Sequence, residues 1–138
     1  MTDSAVLSRA GLDELIAVLR AEGYHVIGPT VRDSAIVLAE LESGDGLPTG
    51  WGVETGPGVY RLRRRSDEAV FAHSAGQQSW KQFLHPPKRQ LWRLEDGDFT
   101  ADAEEPTRYA FLGVRACDLA AIATLGTVLG GGIYADSS

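Results

Sequence analysis

The sequence predicts an α/β fold: a mixed sheet with an N-terminal and a C-terminal helix packed on it, in a single domain over residues 1–138. Three observations carry this. Apolar residues at helical spacing open the chain. A continuous apolar run followed by an Ala-rich stretch closes it. Short β-branched segments, separated by glycine and proline, lie between. The closing run has the character of a strand buried on both faces, which calls for a parallel neighbour. An α+β arrangement is the alternative.

The elements follow in order. Leu12, Leu15, Ile16 and Leu19 fall at i, i+3, i+4 and i+7, so residues 7–22 form an amphipathic helix. Ser8 is its N-cap, Gly11 weakens the first turn, and Gly23 stops it. Tyr24 to Ile27 is a strand ended by Gly28-Pro29. Ala35 to Leu41 is a second strand, and the two form a hairpin-like unit around the turn Arg32 to Ser34. Ser43 to Gly58 holds Gly44, Gly46, Pro48, Gly50, Gly52, Gly56, Pro57 and Gly58, and reads as a loop of the length that marks functional or mobile segments. Val59 to Arg63 alternates as a strand, with Ala69 to His73 as its partner across a turn at Arg65 to Asp67.

Ser79 caps a short helix, Trp80 to Leu84, which Pro86-Pro87 ends. Arg89 to Leu94 is a strand, Glu95 to Asp98 an acidic turn, and Thr100 to Pro106 an exposed connection. The last unit is a strand from Tyr109 to Val114, a turn from Arg115 to Asp118, and a helix from Leu119 to Val128 ended by Gly130-Gly131-Gly132. That helix starts at about Asp118, where an acidic cap suits the dipole.

Composition narrows the function. The net charge of −6 argues against nucleic acid as a partner, since phosphate neutralisation needs a basic surplus. No apolar stretch approaches the ~20 residues of a membrane span, and residues 1–10 lack the apolar core of a secretory signal. Cys117 is the single cysteine, so no internal disulfide forms, and one thiol holds neither zinc nor an iron–sulfur cluster alone. A reducing cytoplasm is the expected compartment.

Cys117 lies just before a helix N-terminus and two residues from Arg115, an electropositive setting of the kind that favours thiolate. Two readings stay open: a reactive or metal-binding sulfur, or a small buried apolar residue. His25, His73 and His85 show no motif spacing with Cys117, so a cysteine hydrolase has no support, and they show no zinc spacing either. Arg61, Arg63 and Arg65 share one strand face by period-two spacing, with Arg64 beside them. They either meet an acidic partner or form a solvated face. Lys81 reads as a contact to a cofactor or partner, or as an exposed helical lysine. Trp51, Trp80 and Trp92 read as packing residues, Trp51 alternatively as an interface residue. The glycine-rich loop lacks the Gly-Lys-Ser/Thr ending of a phosphate cradle.

Four stretches in order carry a resemblance over nearly the whole chain: Gly23 to Pro29; Leu47-Pro48 with Pro57 to Leu62; Ser79 to Pro87; and Phe111 to Ile122, with its Arg-Ala-Cys-Asp turn. The tail from Leu129 to Asp136 continues the match. Together they resemble the family of iron–sulfur electron-transfer subunits that includes the beta subunits of cytoplasmic sulfhydrogenase-type nickel–iron hydrogenases and the iron–sulfur subunit of the anaerobic sulfite reductase. Members are longer and carry ferredoxin-like cysteine runs that hold 4Fe–4S clusters. No such run precedes Ser138. The resemblance therefore implies the N-terminal domain of such a protein, with the cluster-binding part absent and no activity expected of this piece alone.

It implies Cys117 as a cluster-proximal thiolate or cluster ligand, Arg115 tuning its charge, and Asp118 capping the helix. Lys81, Arg61, Arg63 and Arg65 become candidate contacts to a cofactor or partner, and the expected partners are other subunits of the oxidoreductase complex and the ferredoxin-like region. Clusters are expected in the full-length protein and none in this chain. A stand-alone interaction domain using Trp51 and the arginine strand, and a flavin-binding oxidoreductase domain, are the alternatives.

Overall fold

A computed structural model describes residues 4–74, 76, 78–101 and 106–131. In chain order the elements are α1 (Arg9–Ala21), β1 (His25–Arg32), β2 (Ala35–Glu40), a 3-10 turn (Gly44–Gly46), β3 (Trp51–Gly56), β4 (Val59–Arg64), α2 (Lys81–Leu84), β5 (Trp92–Glu95), β6 (Asp98–Ala101), β7 (Tyr109–Phe111) and α3 (Ala116–Gly130). Contacts divide the chain into two units: Met1–Gln78 with Arg108–Val114, and Ser79–Thr107 with Arg115–Ser138. The α/β class holds, and the sheet of the first unit is mixed, with strand order β2-β1-β7.

Helix α1 begins where Ser8 Oγ accepts the Gly11 N–H at 3.0 Å. It stops at Gly23, whose φ of +84° takes the left-handed cap conformation. Its apolar stripe faces the sheet. Ile16 is fully buried with Val26 of β1, Leu41 and Leu47, flanked by Leu12, Leu19, Val70, Ala110 and Leu112. Leu15, expected in the stripe, stays 38% exposed at its edge.

Strand β1 is the central strand. It runs antiparallel to β2 (Gly28 opposite Ala39) and parallel to β7 (Val26 opposite Ala110). It also continues through Gly28-Pro29 to Arg32, where the sequence ends it at Ile27. Alternation explains the tolerance. The Leu41 N–H donates to Val26 O, and the Leu112 N–H to Ile27 O, both at 2.8 Å. Even residues of β1 therefore hydrogen-bond toward β2 and odd residues toward β7. The imide nitrogen of Pro29 faces the β7 side beyond the end of β7, where no ladder donor is required. The hairpin to β2 closes through Asp33 and Ser34, both at positive φ (50° and 59°), the two-residue turn that matches strand twist.

The glycine-rich segment is a second correction. Residues 51–56 form β3, which pairs with β4 in register Trp51–Arg64 through Gly56–Val59. Residues 69–73 form no strand and keep one rung, the Gly50 N–H to Ala69 O at 3.0 Å. A two-residue connection, Pro57-Gly58 with Gly58 at φ +68°, closes this hairpin with less loss of chain freedom than a longer loop. Two side chains cover the outer edge of β2. The Ile36 N–H donates to Tyr60 Oη at 3.1 Å, and the Leu38 N–H to Gln78 Oε1 at 2.7 Å.

The apolar run from Tyr109 is a strand only to Phe111, and it is half-buried rather than covered on both faces. Leu112 turns into the core. Gly113, at φ +76°, lies so close to the Phe71 ring that a Cβ there would stand 2.8 Å from it.

The second unit contains α2, the β5–β6 hairpin and α3. Ser79 Oγ accepts the Lys81 N–H at 3.3 Å, and α2 ends before Pro86-Pro87. The hairpin turns through Asp96 (φ 53°) and Gly97 (φ 89°) and includes Thr100 and Ala101, expected in the exposed connection. Residues 102–105 of that connection, Gly132 of the expected helix stop, and 133–136 of the family-like tail lie outside the described residues. Trp80 is buried, Trp51 half-buried, and Trp92 is 61% exposed, so Trp92 is no packing residue within the described chain. Among the described residues no helix is long and apolar enough to cross a membrane.

The seam between α1 and the sheet sets the stability of the first unit. I16A is expected to lower the unfolding free energy by about 2–5 kcal/mol through lost burial and a cavity. V18A, at a position 55% exposed, is expected to change it by less than about 0.5 kcal/mol. Urea unfolding of both variants checks the difference.

Candidate functional site

The Arg-Ala-Cys-Asp segment is the first turn of α3, not a turn ahead of it. Arg115 is the extended N-cap residue (φ −92°, ψ 162°), and the helix begins at Ala116. Asp118, expected as the cap itself, stands at the third helical position. Its Oδ2 accepts the Arg115 N–H at 3.3 Å, and the Leu119 N–H closes the first helical bond on Arg115 O at 2.9 Å. An arginine side chain offers no acceptor, so only the backward half of a capping box forms. Negative charge in this first turn also suits the dipole.

Cys117 occupies the second helical position and is exposed. Of the two readings, the buried apolar residue is therefore excluded. The thiol stands in the turn where unpaired backbone N–H groups point outward, between half-buried Arg115 and Asp118.

Lys81 and Asp118 border one groove of about 240 Å³. Its walls are Trp80 and Leu84 at α2, and Ala121, Ile122, Leu125 and Val128 along α3. Sequence reasoning misses these α3 residues. The i, i+3, i+4, i+7 spacing of 118, 121, 122 and 125 is the available signal, masked because the helix is uncharged from Leu119 onward. From Leu119 to Gly131 there is no charged side chain, yet no residue of α3 is buried.

The arginines belong to the first unit, where Arg61, Arg63 and Arg65 do share a face. Arg61 lies opposite Glu54, and Arg63 Nε donates to Glu54 Oε2 at 2.8 Å. Arg65 carries its stem over Gly52, 3.3 Å from where a Cβ would lie, and donates to Asp67 Oδ1 at 2.7 Å. Arg64, on the other face, stacks 4.0 Å over the Trp51 ring. The Arg61 side chain makes no hydrogen bond or ion pair among the described residues. Hydrogen bonding from Arg65, with help from the Ala69 N–H and the arginine charge and against slight desolvation, lowers the Asp67 carboxyl to about 2, and the same pair raises Arg65.

No group of three or more His, Cys, Asp or Glu side chains among the described residues is arranged to hold a metal ion. A cubane cluster takes four thiolates, and the chain has one cysteine. Its residues therefore do not fit a complete cluster site, and Cys117 supplies one ligand at most. His25, exposed, pairs through Nδ1 with Glu40 Oε1 at 3.0 Å, a satisfied side chain rather than a ligand.

Comparison with family models, curated proteins and solved structures finds no match for this chain.

The Arg65–Asp67 pair yields a pH signature. A depressed carboxyl pKa contributes stability that is present above the ordinary value near 3.8 and is lost as pH falls through about 2. In an NMR titration the Asp67 carboxyl is expected to show a midpoint near 2. R65Q is expected to return it toward the ordinary range, and an unchanged midpoint in that variant would assign the shift elsewhere.

Proposed function

We propose that this chain is a domain of a cytoplasmic iron–sulfur electron-transfer protein, of the kind found in hydrogenase or anaerobic sulfite reductase complexes. It presents Cys117 to a redox centre held by other polypeptide. One observation carries the reading: the sole cysteine is exposed at the first turn of α3, where N–H groups and the helix dipole favour an electron-rich neighbour.

A second observation supports assembly into a larger complex. Helix α3, uncharged from Leu119 onward, leaves Leu119 57% and Val128 72% exposed, and the β5–β6 hairpin does the same with Trp92, Leu94 and Phe99. Trp92, Leu94, Phe99 and Ala101 fall on one face by the register of the hairpin. Apolar surface of this kind marks contact with further protein.

Iron–sulfur clusters, when present in such a complex, pass single electrons. The residues of this chain do other work. Cys117 offers a sulfur, Asp118 holds the turn that carries it, and Lys81 and Asp118 line the adjoining groove.

The test has two parts. In the folded chain, Cys117 is expected to react with a disulfide reagent as fast as it does in denaturant; protection would contradict its exposure. In the protein as its genome encodes it, purified anaerobically with its bound partners, C117S is expected to lower iron content or the rate of electron transfer to a dye acceptor. Wild-type iron and wild-type rate in C117S would overturn the redox role. Retained thermal stability of the variant separates that role from misfolding.

A further inference from the structure

The β3–β4 sheet has two strands, so β4 has an edge with no strand on it among the described residues. Which backbone groups lie there follows from one hydrogen bond. The Arg65 N–H donates to Gly50 O at 3.0 Å, and the register runs on from Arg64 opposite Trp51 to Val59 opposite Gly56. Odd residues of β4 therefore direct N–H and C=O toward β3. Tyr60, Leu62 and Arg64 direct theirs outward. None of these outward groups has a backbone partner among the described residues.

A groove of about 450 Å³ is bordered by residues 60–63 of β4 together with Trp51, Val31 and Ser34. It thus offers strand-pairing groups, apolar walls, and the guanidinium groups of Arg61 and Arg63. Arg61 has no anion against it among the described residues, and Arg63 shares Glu54.

We infer that the free edge of β4 is a binding site for an acidic peptide segment that adds in extended form as a third strand, its alternate carboxylates meeting Arg61 and Arg63. Charge selects this occupant. A second copy would bring its own arginine edge against this one and be repelled, which is how basic edges prevent self-pairing. An acidic strand gains both the ladder and the charge contacts, the mode in which main-chain bonds give affinity and side-chain contacts give specificity. The site does not involve Cys117, so it stands or falls apart from the redox reading.

The experiment is fluorescence anisotropy with the whole chain and a labelled peptide of about eight residues alternating Glu with Val or Thr. Saturable binding is expected, weakening as salt rises from about 50 to 300 mM. R61Q/R63Q, whose fold is checked by circular dichroism, is expected to weaken it at least about tenfold. The same peptide N-methylated at alternate amides keeps its charge and loses its ladder, and it too is expected to bind at least about tenfold more weakly. This arm needs no change to the protein. Equal binding of the methylated peptide, or equally tight binding of polyphosphate or single-stranded RNA, would reduce the edge to a plain cationic surface and overturn the proposal. So would absence of binding at low salt.

Discussion

The parallel pairing of β1 with β7 is the constraint on which the first unit depends. It joins His25 to Tyr109 and Ile27 to Phe111 across more than half of the chain. Closing so long a loop costs entropy before any contact offsets it. The offset comes at once, because the pairing puts Ala110 and Leu112 against the cluster of Ile16, Val26, Leu41 and Leu47. The Arg108 guanidinium adds a lock at the entry to the strand, donating to Glu22 O at 3.1 Å and lying 4.1 Å over the Tyr24 ring. Just past the strand, Gly113 leaves no space for a side chain beside Phe71. Register, core and exit path of the closing segment are thus one coupled arrangement. A slip of one residue would exchange the Ala110 face for the Tyr109 and Phe111 face.

Local signals in the sequence are legible wherever one short-range rule decides the outcome. Ser8 and Gly23 bracket α1 because capping is a property of a few adjacent residues. The parallel neighbour expected for the run from Tyr109 is present at residues 109–111, although the strand is half-buried rather than covered on both faces. What stays hidden is decided by partners distant in sequence. Residues 51–56 contain two glycines and look like loop, yet Val59, Arg61 and Arg63 of the facing strand give them a ladder. Pro29 looks like a strand stop, and only the early end of β7 makes it harmless. At the candidate site the exposure of Cys117 is not legible. An apolar, Ala-rich helix reads as a buried one, whereas no residue of α3 is fully buried.

The arginine cluster shows why a run of like charges is a poor unit of analysis. Four arginines within five positions take four different roles. Arg64 stacks on an indole and stiffens the start of the β3–β4 ladder. Arg65 is committed to Asp67 in the turn that follows. Arg63 shares a cross-strand carboxylate, a pair of modest worth at this exposure. Only Arg61 is left uncompensated among the described residues, and the two residues nearest it in sequence, Tyr60 and Leu62, are those whose backbone groups face outward. Period-two geometry sets Arg64 apart from the other three, and the carboxylates of Glu54 and Asp67 then separate Arg63 and Arg65 from Arg61.

Placement of Cys117 has a different physical origin from placement of the core. Nothing buried holds it. Its position is set by where α3 begins, and that start is fixed by the extended Arg115 and by the Asp118 carboxylate reaching back to the Arg115 N–H. An N-terminal cap contributes on the order of 1 kcal/mol, far less than a buried leucine or isoleucine does. The thiol thus stands on an element whose first turn is marginal by itself and which leaves Leu119 exposed just after it. Protein seated over the first turns of α3 would bury Leu119 and hold the helix start in the same step. Docking there would stabilise the turn that carries Cys117.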